Sequence, residues 1–115
     1  MRKNKYRILA INPGSTSTKI GVFDNEERVL RVNIEHSSDD LKEFKEISDQ
    51  REFRLNTLLD TLKKNKINIK TIDAFAGRGG SLECCEGGTY KINDLMYEDA
   101  KSMRIVKHPS ALGIV

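Results

Sequence analysis

The chain has 115 residues, enough for one small domain with one core. Hydrophobic residues make up 37% and charged residues 32%, and Leu, Ile, Val and Phe recur throughout, which excludes a disordered tail. The net charge of +3 is interleaved with acidic residues, dense only at Arg2-Lys3-Asn4-Lys5 and Lys63-Lys64-Asn65-Lys66, so no basic stripe forms and no nucleic-acid partner is expected.

No apolar signal-peptide core follows the basic start, and no run approaches the roughly 20 apolar residues of a membrane span. A cytoplasmic protein without a membrane partner is expected. Cys84 and Cys85 are adjacent, which suits neither a disulfide framework nor a zinc site, and they read as two reduced thiols in a loop.

Tyr6 to Asn12 reads as a buried strand, continuously apolar from Ile8 to Ile11. Pro13-Gly14-Ser15-Thr16 is a turn, Thr18 to Phe23 a second strand, Asp24-Asn25-Glu26 a turn and Val29 to Ile34 a third strand. Short turns make these neighbours antiparallel, a three-stranded meander. Ser38-Asp39-Asp40 then offers helix-capping chemistry before Leu41 and Phe44. Leu55, Leu58, Leu59 and Leu62 fall at helical spacing within Gln50 to Lys64. Ile72 to Ala76 reads as a buried strand ended by Gly77-Arg78-Gly79-Gly80, and Thr89 to Ile92 as a further short strand. Asn93-Asp94 caps a helix carrying Leu95, Met96, Ala100 and Met103, and Pro109 opens another. The order is β-β-β-α-β-α, an α/β fold, and a helix between the third and fourth strands implies a parallel pair in a mixed sheet.

Two segments can carry chemistry. Asn12-Pro13-Gly14-Ser15-Thr16-Ser17-Thr18-Lys19 joins the first two strands. Glycine allows close approach of backbone to an anion, the hydroxyls add donors, and Lys19 adds a cation. The same residues also suit a hairpin loop with no ligand, and they do not match a Walker loop. Arg78 stands at the C-terminal edge of a strand, where α/β sheets place ligands, and its guanidinium can grip a carboxylate or phosphoryl group in a bidentate way. It can equally be a solvated loop arginine.

Ile11 to Lys19 resembles the first phosphate motif of the acetate and butyrate kinases, and its Pro-Gly-Ser-Thr-Ser-Thr-Lys form looks like the butyrate kinases. Gly77-Arg78-Gly79-Gly80 and Gly87-Gly88-Thr89-Tyr90 are similar to the same family in the same order. Lys107-His108-Pro109-Ser110-Ala111-Leu112-Gly113 resembles its His-Ala-Ser-Asn-Leu-Gly segment, with Pro109 in place of the usual alanine and Ala111 in place of the asparagine. His36-Ser37-Ser38 is similar to the family's His-Ser before the first helix and reads as capping; Phe53-Arg54 also looks like family sequence and is given no chemistry.

The resemblance implies a ribonuclease H-like/actin-like lobe. Residues 1–115 would be part of the N-terminal lobe of a two-lobed acyl kinase, the sheet incomplete and the second lobe outside the chain. It implies reversible phosphoryl transfer from ATP, with Mg²⁺, to butyrate. Asn12, Gly14, Ser15, Thr16, Ser17, Thr18 and Lys19 would face the phosphates. Arg78, with Gly79 and Gly80, would hold the carboxylate and the moving phosphoryl, and His108 would match an active-site histidine. No metal ligand is expected in the chain, and the chain alone is expected to show no turnover. The implied partners are a small carboxylate and a nucleotide, with self-association through an unpaired sheet edge. A kinase of acetate, propionate or branched-chain acids, and a non-catalytic phosphate- or partner-binding module, stand as the other readings.

Overall fold

A computed structural model describes residues 5–78, 87–105 and 107–114. The opening meander forms as its two turns dictate. Strands β1 (Arg7–Pro13), β2 (Ser17–Asp24) and β3 (Glu27–Glu35) pair antiparallel in sequence order. The tight turn between β2 and β3 needs a left-handed residue, and Asn25 supplies it with φ 54°. Its carboxamide and amide both bond Tyr6, at 2.9 and 2.8 Å.

Alternation along the strands sorts side chains onto two faces. Leu9, Ile20 and Val22 project from one face and are buried. Helix α2 (Arg51–Lys64) lays Leu58 and Leu62 on them, closing the main core. Burial of such side chains contributes about 1.5–3 kcal/mol each. Leu55 and Leu59, also at helical spacing, stand more than a third exposed and rim an apolar groove that Phe75 and Ile69 continue. Ser37, rather than Ser38, caps the single-turn helix α1 (Ser38–Lys42), accepting from the Asp40 amide at 3.1 Å. A 3₁₀ turn, Ile47–Gln50, leads into α2.

Helix α2 ends where Lys66 turns left-handed at φ 60°. The Ile67 amide reaches back to the Leu62 carbonyl at 2.9 Å and that of Lys66 to Lys63 at 3.1 Å. This is the closure that glycine makes without Cβ strain. Lys66 is exposed. Lys66→Gly is therefore expected to stabilise the chain by about 0.5–1 kcal/mol, read as a higher urea midpoint at unchanged slope.

The chain returns through a 3₁₀ turn (Ile69–Thr71) to β4 (Ala74–Gly77), which pairs parallel with β1 and gives the order β3-β2-β1-β4. The strand expected at Ile72 to Ala76 is thus present but starts later, and it is exposed rather than buried: as the edge of the sheet among the described residues it leaves Phe75 57% exposed. The mixed sheet and parallel pair expected from the sequence are present. Arg7, at the start of β1, clasps Asp24 with two hydrogen bonds of 2.7 and 3.0 Å, and Lys5 lies 3.4 Å away. The Arg7 bonds hold the Asp24 carboxyl down at about 2 against the opposing pull of burial, with Lys5 adding to the effect. An unfolded aspartate titrates near about 3.9. The unfolded chain thus takes up a proton that the folded chain refuses, and the contribution of Asp24 to stability is lost as pH falls from about 4 to about 2. Asp24→Asn is expected to flatten that part of the stability profile, measured by urea unfolding at a series of acid pH values.

Helix α3 (Asp94–Ser102) begins at Asn93, whose side chain accepts from the Met96 amide at 2.8 Å. The expected strand at Thr89 to Ile92 does not form. These residues are exposed and join no strand among the described residues, so no ladder of strand hydrogen bonds holds them extended. Pro109 does open a helix, but a 3₁₀ one, Pro109–Gly113. Its Ala111, with Ile114, packs on Ala100 and Met103 as a second small core. Among the described residues no helix is long and apolar enough to cross a membrane.

Candidate active site

The face of the sheet opposite α2 carries the polar residues. Register places Asn12 of β1 beside Lys19 of β2, and Lys19 beside Asn33 of β3. Ala10, Gly21 and Ala76 form the next row, small enough to leave a floor between longer neighbours. Arg78 follows β4 directly, and its amide bonds the Ile11 carbonyl at 3.0 Å, which extends the parallel ladder by one step. Asn12, Lys19 and Arg78, three of the site residues expected from the sequence, thus line one cleft of about 570 Å³.

Arg28 and Arg31 line the same cleft. Three positions apart, they would face opposite sides of a regular strand. The register slips between Val22 and Phe23, so Arg28 pairs with Phe23 while Arg31 pairs with Gly21. This β-bulge turns both guanidinium groups to one side. Among the described residues no carboxylate lines the cleft. The four cations Lys19, Arg28, Arg31 and Arg78 create a positive potential suited to phosphate or carboxylate.

The loop between β1 and β2 is tight. The Gly14 amide donates to the Ser17 carbonyl at 2.7 Å, so this amide is spent inside the turn. Ser15 and Thr16 are exposed at its tip. Thr18, which the sequence reading places with the phosphate ligands, projects to the other face and is 1% exposed. Its hydroxyl lies 2.8 Å from His36 Nε2 and accepts from Arg54 Nη1 at 3.1 Å. Strand alternation from Lys19 carries that signal, since adjacent residues cannot share a face. The Arg54 charge-assisted bond fills one lone pair of Thr18, and the same hydroxyl pairs with Nε2 of the His36 ring. Burial, and after it the nearby Arg54 guanidinium, holds the His36 imidazole below the ordinary histidine value, which keeps it neutral.

The Pro109–Gly113 turn closes on the same strand ends. A Cβ built on Gly77 would overlap the Gly113 carbonyl, and one built on Gly113 would come within 3.3 Å of both the Arg78 carbonyl and Pro13. The three sequence motifs therefore meet at the C-terminal ends of β1 and β4, where ligands of such sheets bind. His108 is exposed and caps its 3₁₀ turn: Nδ1 accepts from the Ser110 amide at 3.0 Å. Nδ1 is thereby committed to the backbone, and His108 is not among the residues that line the cleft. Gly79, Gly80, Cys84 and Cys85 lie outside the described residues. Among the described residues no three His, Cys, Asp or Glu side chains gather where they could hold a metal ion.

No family model matches the chain. Butyrate kinase 2 of Clostridium acetobutylicum is 50% identical to it over 109 residues, which covers 95% of this chain and 31% of that enzyme. Over these residues the chain is similar to a butyrate kinase. It spans about a third of the length of the curated relative that it matches. The motif residues Asn12, Lys19 and Arg78 are brought together by the fold. Ser15 and Thr16 are left at the loop tip, Thr18 is turned inward, and His108 is held as a cap. Arg28, Arg31, Arg54 and His36 were not assigned to the site by sequence reasoning. A bulge places Arg28 and Arg31, while contacts forty and eighteen positions apart bring Arg54 and His36 under the loop, and none of these leaves a local pattern in the chain.

Proposed function

We propose that this chain supplies the phosphate- and carboxylate-facing part of a butyrate kinase, a cytoplasmic enzyme that moves a phosphoryl group from ATP to butyrate. The observation that carries the reading is that Asn12, Lys19 and Arg78 line one cleft, free of carboxylates among the described residues, in a chain 50% identical to a butyrate kinase over 109 residues. In this reading the butyrate carboxylate oxygen attacks the γ-phosphorus, the bond to the bridging oxygen breaks, and ADP leaves as butyryl phosphate forms.

Each residue then has a task. Lys19 and Asn12 neutralise and orient phosphate oxygens from the sheet, while the Ser15 and Thr16 tip and the Ser17 hydroxyl donate from the loop. Arg78, planar and permanently charged, holds the carboxylate and the equatorial phosphoryl oxygens together, so that attack is in line. Two bidentate anions approaching each other repel, and a guanidinium between them offsets that repulsion throughout the transfer. His108, held as a cap outside the lining of the cleft, takes no task in this reading. The cleft's amides, lysine and arginines suit phosphate oxygens and do not suit a divalent cation, so Mg²⁺ would arrive on the nucleotide rather than on these side chains.

The test is a chimera in which this chain replaces the matching residues of the Clostridium acetobutylicum enzyme. Trapping acyl phosphate with hydroxylamine should reveal butyryl hydroxamate that depends on both ATP and butyrate. A chimera that melts cooperatively but makes none would refute the proposal. Acetate, propionate and isobutyrate in the same assay separate the acyl classes.

A further inference from the structure

Resting on that reading of the loop, we infer that Arg54 is a positioning residue that aims the Ser15 and Thr16 amides at the bound phosphate by gripping the loop from its back. Arg54 sits on α2, on the far face of the sheet from the cleft, and is 4% exposed. Its five N–H groups meet five acceptors. Nε donates to Gln50 Oε1 at 3.0 Å, and Nη1 to the Ser17 carbonyl at 2.9 Å and to Thr18 Oγ1 at 3.1 Å. Nη2 donates to the Gly14 carbonyl at 2.7 Å, with a longer contact to that of Ser15 at 3.5 Å.

The geometry of the peptide unit makes this grip consequential. In a trans peptide the C=O and the following N–H point in opposite directions. A Gly14 carbonyl drawn inward to Arg54 therefore sends the Ser15 amide outward. The Ser15 carbonyl does the same for the Thr16 amide. Neither of those amides has a partner among the described residues, whereas the Gly14 amide is already spent on Ser17. The loop is thus sorted into carbonyls beneath and donors above, an arrangement that cradles anions.

The charge of Arg54 points the same way. None of its five acceptors is a carboxylate, so a buried cation is balanced only by dipoles. An anion on the outer side of the loop completes that balance across one thickness of backbone, where little water screens the attraction. Lysine cannot substitute, because three donors on one nitrogen cannot span the Gly14, Ser17 and Gln50 acceptors.

The experiment uses the ¹⁵N-labelled chain, wild type and Arg54→Lys, titrated with inorganic pyrophosphate and followed by NMR. In the wild type the Ser15 and Thr16 amides are expected to shift on titration, and so is the Arg54 Nε–H signal behind them. In Arg54→Lys those two amides are expected to be displaced before any anion is added. Pyrophosphate should then bind at least about tenfold more weakly, while amides of β2 and β3 away from the loop keep their wild-type positions. Loop amides that do not move in the variant, with affinity within about twofold of wild type, would overturn the inference. Should Arg54→Lys fail to fold, the wild-type Nε–H decides, and its indifference to a pyrophosphate that shifts Ser15 and Thr16 overturns it equally. Pyrophosphate that shifts no wild-type loop amide would instead refute the phosphate reading of the loop, and the displacement in the anion-free variant would still decide the role of Arg54.

Discussion

Arg78→Ala in the chimeric enzyme is expected to lower kcat for butyryl phosphate formation by at least about a hundredfold, with a smaller change in the KM for ATP. The backbone of Arg78 is fixed by its bond to the Ile11 carbonyl, one step past the last pair of the β1–β4 ladder. Its side chain is exposed and lines the cleft with Lys19 and Asn12. It can therefore be removed without opening a cavity in either core, and lost activity reports on chemistry rather than folding. A guanidinium that binds carboxylate and phosphoryl oxygens together gains most when both carry developing charge, so the loss belongs in kcat. Arg78→Lys restores charge without the planar fork and is expected to recover less than about a tenth of the lost rate. Arg31, exposed on the edge strand of the same cleft, supplies the contrast. If it only adds to the field, Arg31→Ala raises KM by a few-fold, and the effect fades with salt. An Arg78→Ala chimera that keeps kcat within about threefold would remove Arg78 from the reaction.

The meander, the long helix and the parallel fourth strand were legible because each is written locally. Ile8 to Ile11 is a short apolar run of strand length, although only Leu9 in it is fully buried, Leu58 and Leu62 share one helical face, and Asn25 and Asn93 are a turn and a cap by their own side chains. Arg78 at a strand end was legible for the same reason. Thr18 was assigned by its place in a motif, although alternation from Lys19 turns it inward. The pairing of Arg28 with Arg31 depends on a bulge, which register creates and composition does not announce. Arg54 was passed over because its partners lie on the β1–β2 loop, and proximity of that kind exists only after α2 has packed on the sheet. The short stretch Thr89 to Ile92 has strand-like residues, and among the described residues it joins no strand of the sheet.

Gly77→Ala should have the largest effect on the architecture of the site. The β1–β4 register sets Gly77 against Ile11, and the Pro109–Gly113 turn crosses so closely that a Cβ at 77 overlaps the Gly113 carbonyl. The atoms in the way are backbone on both sides, so no rotamer change can relieve the clash. Either β4 leaves β1 or the turn lifts away. The second costs less, because β4 is held by ladder bonds while the turn is held by the small core of Ala100, Met103, Ala111 and Ile114. Gly77→Ala is thus expected to destabilise the segment by about 3 kcal/mol. Native-state hydrogen exchange should show amides between residues 94 and 114 losing protection while those of β1 and β2 keep theirs. Gly113→Ala meets its neighbours at 3.3 Å, a distance a few tenths of an ångström can relieve, and serves as the milder control. Uniform loss of protection in Gly77→Ala would mean that the turn and the sheet unfold as one unit. Unchanged protection throughout would mean that the close crossing of Gly77 and Gly113 does not hold the three motifs together.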